Sequence, residues 1–210
     1  MIADLRTSVP FEEFDYQTLL QGLRQYARPR DRATRLLEAG AIIRVKKGLY
    51  VFGPTYRRGP YSLEVLANLV SGPSYVSFEY ALSFYGLIPE RVTTITSATF
   101  GKARTFDTPL ARFSYRPVPR RVFPTGVRLV ELGANRAFLL ASREKALCDT
   151  IAASRGLNAR SRGAFQTALA DDLRIDMHQL ATLDGDAVAD LASRWPSRRL
   201  ARLADVITHE

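Results

Sequence analysis

Hydrophobic positions near the N-terminus first follow a helical period and then a strand pattern. Small and apolar residues recur at i, i+3, i+4 and i+7 from Ala33 to Gly40, which predicts a helix over residues 29–39 with one buried face. Pro29 suits a first helical position, and Gly40 suits a C-terminal stop. Two β-branched and aromatic runs follow, at 42–45 and 49–52, joined by Lys-Lys-Gly. The pattern therefore predicts a helix followed by a β-hairpin.

A shorter helix is predicted before this unit. Asp15 suits an N-cap, and Phe14 and Leu19 stand at the spacing of a hydrophobic staple around it, which indicates a helix over residues 16–22. Residues 1–7 are long enough for one more short helix. Two helices, a turn and a hairpin predict an N-terminal winged helix-turn-helix DNA-binding domain over residues 1–56.

The exposed positions of this predicted domain are rich in cations. Between Arg24 and Arg58 there are ten Lys and Arg residues against Asp31 and Glu38. In a helix-turn-helix the N-terminal half of the second helix enters the major groove, and arginine there contacts guanine edges or phosphates. The predicted DNA contacts are Arg28, Arg30, Arg32, Thr34 and Arg35 on the recognition helix, and Arg44, Lys46 and Lys47 on the wing. The alternative is a solvated basic helix next to an ordinary hairpin.

Pro and Gly residues at 53–60 indicate a linker, after which the pattern changes. Residues 61–210 are predicted as a mixed α/β C-terminal domain, with Ser77 and Ser142 as N-caps. Helices are predicted at 61–70 and 78–86, strands at 92–100, 112–118, 127–132 and 137–140, and a polar loop at 101–109. A helical tail is predicted over 142–208. The fold class is therefore α+β, a winged helix-turn-helix followed by an α/β domain that ends in several helices.

Composition adds a polyanionic partner to this outline. The chain of 210 residues is 46% hydrophobic, carries a formal net charge of +9 and has one cysteine, Cys148. The charge favours nucleic acid as a partner, and a single cysteine excludes an internal disulfide or a multi-cysteine metal site. The early acids Asp4 and Glu12 and the lack of a long apolar run predict no signal peptide and no membrane partner. We therefore expect a cytoplasmic protein.

A second basic region follows the first predicted strand of the C-terminal domain. Seven cations and one acid, Asp107, lie between Gly101 and Arg128, and aromatic residues alternate with the arginines. This region predicts a second nucleic-acid surface formed by Lys102, Arg104, Arg112, Arg116, Arg120 and Arg121. The alternative is a solvated sheet edge, where basic residues discourage unwanted strand pairing.

Several motifs that suggest catalysis have simpler explanations. Ser142 and Lys145 match Ser-x-x-Lys, but the companion motifs of penicillin-recognising enzymes are missing, so Ser142 is interpreted as a helix cap. Asp184 and Asp186 lack the Gly-Ser turn of nucleotidyltransferases and suit a helix N-terminus. The acids around His178 suit a solvated helix end, and Cys148 suits a core position. We predict no enzyme activity, no cofactor and no metal site.

Four blocks of the sequence carry a resemblance to a known family. They are LYVF after the predicted wing, YVSFEYALSFYGLIPERVTTITSAT at 75–99, FSYRPV at 113–118 and ASREKALCD at 141–149. In this order the chain resembles the AbiEi family of antitoxins and transcriptional regulators from type IV toxin–antitoxin (abortive infection) systems. The resemblance covers about residues 28–155. The segment before Asp15 is shorter than the family pattern.

The resemblance implies a repressor that binds inverted repeats in the promoter of its own operon. It also implies an antitoxin that counteracts a nucleotidyltransferase-like toxin without forming a stable complex. We expect a monomer in solution that binds double-stranded DNA cooperatively. Two other functions stay open, a nuclease-like enzyme that a winged helix targets to nucleic acid, and a protein-interaction module with a DNA anchor.

Overall fold

A computed structural model describes residues 3–133, 136–195 and 197–208. Over these ranges the chain is a mixed α+β protein with ten helices and two sheets, as the sequence predicts. The N-terminal part holds α1 (Ala3–Ser8), β1 (Glu13–Asp15), α2 (Tyr16–Gly22), α3 (Pro29–Glu38), β2 (Ile42–Lys46) and β3 (Leu49–Phe52). The predicted helices and hairpin of this part are confirmed, and Asp15 caps α2 by accepting a hydrogen bond from the Thr18 N–H at 2.8 Å.

The first sheet has the order β1-β3-β2, with antiparallel pairs throughout. Strand β1 was not predicted, because its three residues, Glu-Phe-Asp, carry no strand pattern of their own. Its pairing partner supplies the reason for the extended backbone, since Glu13 stands opposite Val51 and Asp15 opposite Leu49. The hairpin turn closes at Gly48, which has φ +87°, a conformation that glycine adopts without a steric penalty.

Strand β3 is buried on both faces. Tyr50 and Phe52 belong to a hydrophobic cluster with α1, α2 and α3. Leu49 and Val51 point the other way and belong to the larger cluster of the C-terminal part. Because alternate residues of a strand face opposite sides, this one strand joins the two cores. The predicted domain boundary between residues 56 and 61 stays a prediction.

The second sheet has six strands in the order β6-β7-β5-β4-β9-β8 and contains both parallel and antiparallel pairs. The elements of this part are α4 (Leu63–Val70), β4 (Ser74–Val76), α5 (Phe78–Phe84), β5 (Ile95–Thr99), β6 (Arg104–Asp107), β7 (Arg112–Pro117), β8 (Val127–Gly133), β9 (Arg136–Ala141) and α6 (Arg143–Ala153). The four predicted strands are confirmed as β5, β7, β8 and β9. The two that were not predicted are β4, which follows a Gly-Pro break, and β6, which lies in the predicted polar loop.

Two contacts from neighbouring residues of β7 define the layers. The Tyr115 hydroxyl donates to the Ala67 carbonyl of α4 at 2.6 Å. Arg116, next along the strand, faces the other way and pairs with Glu79 of α5. Tyr75 lies on the α5 face and donates to Asp149 of α6 at 2.9 Å. The sheet therefore has α4 on one face and α5 and α6 on the other.

The tail after residue 156 is helical, as predicted. It holds α7 (Arg162–Asp171), α8 (Met177–Leu180), α9 (Gly185–Arg194) and α10 (Arg198–Thr208). Ser142, Asp176 and Asp184 cap the helices that follow them. Ser77 also stands at an N-cap position, but the predicted cap is wrong, because its hydroxyl donates to Asp149 at 2.7 Å instead of accepting from α5.

Buried carboxylates hold the predicted linker against the first sheet. Glu12 accepts hydrogen bonds from the N–H groups of Arg58 and Gly59 at 3.0 and 3.1 Å. Glu13, whose side chain is 2% exposed, accepts from the Ser62 N–H at 2.5 Å and pairs with Arg136 at 2.8 Å. Hydrogen bonds to both carboxylates therefore fix the linker against the first sheet, and the linker is not a flexible connection.

Replacing Glu13 with Gln should lower the free energy of unfolding by roughly 1–3 kcal/mol, because a buried charge-assisted acceptor is lost. Urea denaturation measures the change. Glu38→Gln, the same substitution at an exposed position of α3, should stay within about 0.5 kcal/mol of the original protein. Equal stability of the two variants would contradict a structural role for Glu13.

Candidate nucleic-acid interface

Helix α3 presents a row of cations to solvent. Ala33 and Leu36 face the core, so the helical period turns the intervening positions outward. Four of the five predicted recognition residues are exposed, namely Arg28, Arg30, Thr34 and Arg35. Arg28 lies 3.8 Å from Asp31, and both side chains are well exposed. Among the described residues, no carboxylate lies within ion-pair distance of Arg30 or Arg35.

Arg32, the fifth predicted residue, is half-buried. Its guanidinium carbon lies 5.3 Å from the centre of the Tyr26 ring, a cation–π distance. Its Nε atom is buried and has no hydrogen-bond partner. The ring therefore orients Arg32 beside the turn that leads into α3, and the terminal nitrogens of the guanidinium remain its means of contacting a ligand.

The hairpin separates the three predicted wing residues. Arg44 and Lys47 are exposed. The Lys46 ammonium donates to the Val70 carbonyl at the end of α4 and lies 5.9 Å from the Phe106 ring centre. Burial, and then the charge of Arg104, lower the Lys46 pKa. Since Lys46 faces the second sheet, its geometry does not suit the DNA contact that the sequence predicts.

The hairpin tip is also short and held in place. The Tyr16 N–H donates to the Gly48 carbonyl at 3.0 Å, which ties the tip to the start of α2. Lys47 is the cation that remains exposed at this tip. The hairpin therefore offers a compact basic edge beside α2 and not an extended arm.

The second predicted basic surface is split between two faces of the sheet. Arg104 stands opposite Tyr115, so it shares the α4 face and lies next to Lys46. Arg112 and Arg116 belong to the opposite face of β7. Each is paired with a carboxylate, Arg112 with Asp107 at 2.6 Å and Arg116 with Glu79 at 2.7 Å. The hydrogen bond from Arg112 also lowers the Asp107 pKa.

The remaining residues of this set lie in loops. Lys102, Arg120 and Arg121 are exposed, and the Arg120 guanidinium lies 5.0 Å from the Phe100 ring centre. The structure therefore does not gather the six predicted residues into one patch. Arg104 is the member whose charge acts on a hairpin residue, Lys46, and it adds to the basic surface beside the hairpin.

A buried polar cluster joins two of the blocks that carry the family resemblance. Lys145 and Asp149, one turn apart on α6, form an ion pair at 2.9 Å, and both side chains are 0% exposed. Asp149 also accepts from Tyr75 and Ser77, and Lys145 donates to the Val122 carbonyl at 3.0 Å. Burial raises the pKa of the Asp149 carboxyl, and burial also raises that of Tyr75.

This cluster was not predicted from the sequence, although Lys and Asp at i and i+4 on an apolar helix were a usable signal. Ser142 behaves as predicted, since it caps α6 by accepting from the Lys145 N–H at 3.2 Å. Cys148 is buried as predicted, and burial raises the pKa of its thiol. The cluster is enclosed by protein on all sides and has no exposed member.

Two other kinds of feature are absent from the described ranges. No group of three or more His, Cys, Asp or Glu residues in them is arranged to hold a metal ion. None of the helices in them combines the length and apolarity needed to cross a bilayer.

Compared with known proteins, the sequence matches no protein-family model and shows no significant similarity to a curated protein.

Proposed function

We propose that the chain is a DNA-binding repressor that contacts its operator through α3. The observation that carries this proposal is that Arg30 and Arg35 are exposed on α3 and form no ion pair among the described residues. Arg30 has no acid three or four residues away on the helix, and Asp31 and Glu38, which stand at such spacings from Arg35, form no ion pair with it among the described residues. Unpaired arginines on the exposed face of a helix suit phosphates and guanine edges.

We infer that the N-terminal part is a winged helix-turn-helix. Support comes from the order helix, strand, helix, helix, strand, strand, with the sheet order β1-β3-β2. In this arrangement α3 is the recognition helix, and Arg44 and Lys47 are the hairpin residues available to a flanking backbone. Arg104 extends the same basic surface. Lys46 is not part of the proposed DNA-binding surface, because its side chain faces α4.

The biological role follows from the resemblance to AbiEi antitoxins. On that basis the chain represses its own operon in the cytoplasm and counteracts a nucleotidyltransferase-like toxin without a stable complex. The joining of Tyr75, Ser77, Lys145 and Asp149 supports the resemblance, because residues from two of its blocks form one buried cluster. A toxin gene next to this one, whose growth arrest is relieved when this chain is co-expressed, would test the role directly.

The DNA contact predicts a steep dependence of affinity on salt. Five phosphate contacts give a slope of about −4.5 for the logarithm of the association constant against that of salt concentration. Affinity for the upstream DNA of its own gene should then fall roughly 500-fold between about 50 and 200 mM salt. Fluorescence anisotropy with labelled duplex measures the slope, and scrambled duplex is the control. A flat slope would rule out the proposed DNA contact, whatever the biological role.

A further inference from the structure

Strand β8 is an open edge of the six-stranded sheet. Within the described ranges it pairs with β9 and with no other strand. Its seven residues include Leu129, which is 62% exposed, and Leu132, which is 45% exposed. Leu139 stands directly opposite Leu129 on β9 and is 37% exposed. A long edge strand with exposed leucines is a surface that another strand can pair with.

Two hydrogen bonds establish which backbone groups of β8 face outward. The Ser142 N–H donates to the Gly126 carbonyl at 2.7 Å, so residues 126 and 142 form a hydrogen-bonded pair. The Leu139 N–H donates to the Asn68 side chain at 2.6 Å and therefore points away from β8. Hydrogen-bonded and non-bonded pairs alternate along antiparallel strands. Both observations make the Leu129–Leu139 pair non-bonded.

The N–H and C=O groups of Leu129 must then point to the open edge, together with those of Val127 and Glu131. These three residues precede the irregularity between Glu131 and Gly133. The edge thus offers three consecutive residues with outward donors and acceptors. An extended backbone of another chain can satisfy this row in place of the water that otherwise hydrates it.

We propose that β8 pairs antiparallel with β8 of a second copy of this chain, about a two-fold axis at Leu129. This register places Leu129 opposite its own counterpart and Val127 opposite Glu131 of the other copy. It forms three hydrogen-bonded pairs, with two N–H···O=C bonds in each.

The side chains favour this register over its neighbours. Leu139, Leu129 and their two counterparts form one row of leucines across four strands, which removes apolar surface from water. Centring the axis on Val130 would place Leu129 opposite Glu131, and centring it on Glu131 would oppose two carboxylates. Centring it on Arg128 would oppose two guanidinium groups, and an axis between two residues would break the match of pleats, because directly opposite residues of paired strands share a face.

The dimer is expected to be transient. A seven-residue strand pair buries less than about 1,200 Å², the range of weak encounters. With a net charge of +9 on each copy, association should be strongest when salt screens the repulsion. The chain is then a monomer at nanomolar concentration and a dimer at about 10–100 μM, or wherever two copies are held close together. This inference does not depend on the proposed DNA contact.

Analytical ultracentrifugation at about 0.3 M salt tests the proposal with charge-swap variants. Leu129→Lys and Leu129→Glu each put like charges on the axis, so each alone should associate at least tenfold more weakly than the original chain. An equimolar mixture of the two should restore association, because Lys then stands opposite Glu. The control is Leu69→Lys at an exposed leucine of α4, which should associate like the original chain.

A second variant tests the backbone alone. Leu129→Pro removes an N–H that faces the open edge and not β9, so the ladder within the chain is kept while pairing between copies is lost. Leu129→Thr keeps the N–H and should keep most of the association. The original chain remaining monomeric up to about 500 μM, or a charge-swap mixture no better than either variant, would overturn the proposal.

Discussion

Replacing both Arg30 and Arg35 with alanine is expected to weaken binding to operator DNA by at least about 30-fold. Each lost phosphate or base contact costs roughly 1–3 kcal/mol, and two such contacts together cost about 2–6 kcal/mol. Both side chains are exposed and lie on the outer face of α3, so their removal leaves the core at Ala33 and Leu36 untouched. Fluorescence anisotropy at fixed salt measures the effect, and thermal unfolding checks that the variant is folded.

The control for this experiment removes the same charge elsewhere. Arg155 and Arg160 are exposed and lie in the segment between α6 and α7, outside the N-terminal part of the chain. Their double alanine variant should lose less than about threefold in affinity, since only long-range attraction changes. If both double variants lose affinity equally, the charge of the whole protein drives binding and α3 is not the contact.

Lys47→Ala distinguishes positioning from sequence readout. It should weaken binding to operator and scrambled DNA by similar factors and make the salt slope shallower by about one, as expected of a phosphate contact. If replacing Arg30 or Arg35 reduces the difference in affinity between operator and scrambled DNA, the arginine that was replaced contacts bases. Equal behaviour of Lys47 and both arginines would contradict the division into helix and hairpin roles.

Replacing Lys145 with Met is expected to lower the free energy of unfolding by roughly 3–5 kcal/mol. The variant leaves Asp149 buried without its cation, and an uncompensated charge in the core is expensive. Asp149 keeps its hydrogen bonds from Tyr75 and Ser77, which limits the loss. Urea denaturation followed by circular dichroism measures the change, and a variant that fails to fold at about 25 °C would also be consistent with the expected loss.

Lys102→Met is the matched control, because it makes the same chemical change at an exposed lysine. It should alter stability by no more than about 0.5 kcal/mol. Adding Asp149→Asn to Lys145→Met should recover part of the loss, since the amide oxygen still accepts from the two hydroxyls and no buried charge remains. A Lys145→Met variant as stable as the Lys102 control would show that the pair contributes little to the fold.

Much of the fold could be predicted from the sequence wherever the signal is local. The apolar period of α3, the proline at its start and the cap at Asp15 all act within a few residues of chain. Ser142 and α6 were equally predictable, because a capping hydroxyl precedes an apolar helix. Strands β1 and β4 were missed because pairing with a distant strand holds them extended, and β6 because its pairing with the next strand, β7, extends a short polar segment whose own residues do not require it.

The candidate site was predictable in type but not in arrangement. A lysine in a basic turn has the same sequence signal whether it faces solvent or a neighbouring helix, and Lys46 faces the end of α4. The alternation of β7 and its register with β6 place Arg104 and Arg112 on opposite faces, which no count of charges along the chain reveals. Likewise, the carboxylates that neutralise Arg112 and Arg116 come from β6 and α5.

The double burial of β3 has a geometric consequence. Because Tyr50 and Phe52 belong to one core and Leu49 and Val51 to the other, α3 cannot rotate against the six-stranded sheet without opening both cores. The proposed recognition helix, α3, is therefore held in a fixed orientation relative to β8. In two copies paired at β8, the distance between the two α3 helices would therefore be fixed. The packing of the two sheets, and not the length of the linker, would then set the spacing of operator half-sites that the dimer can bind.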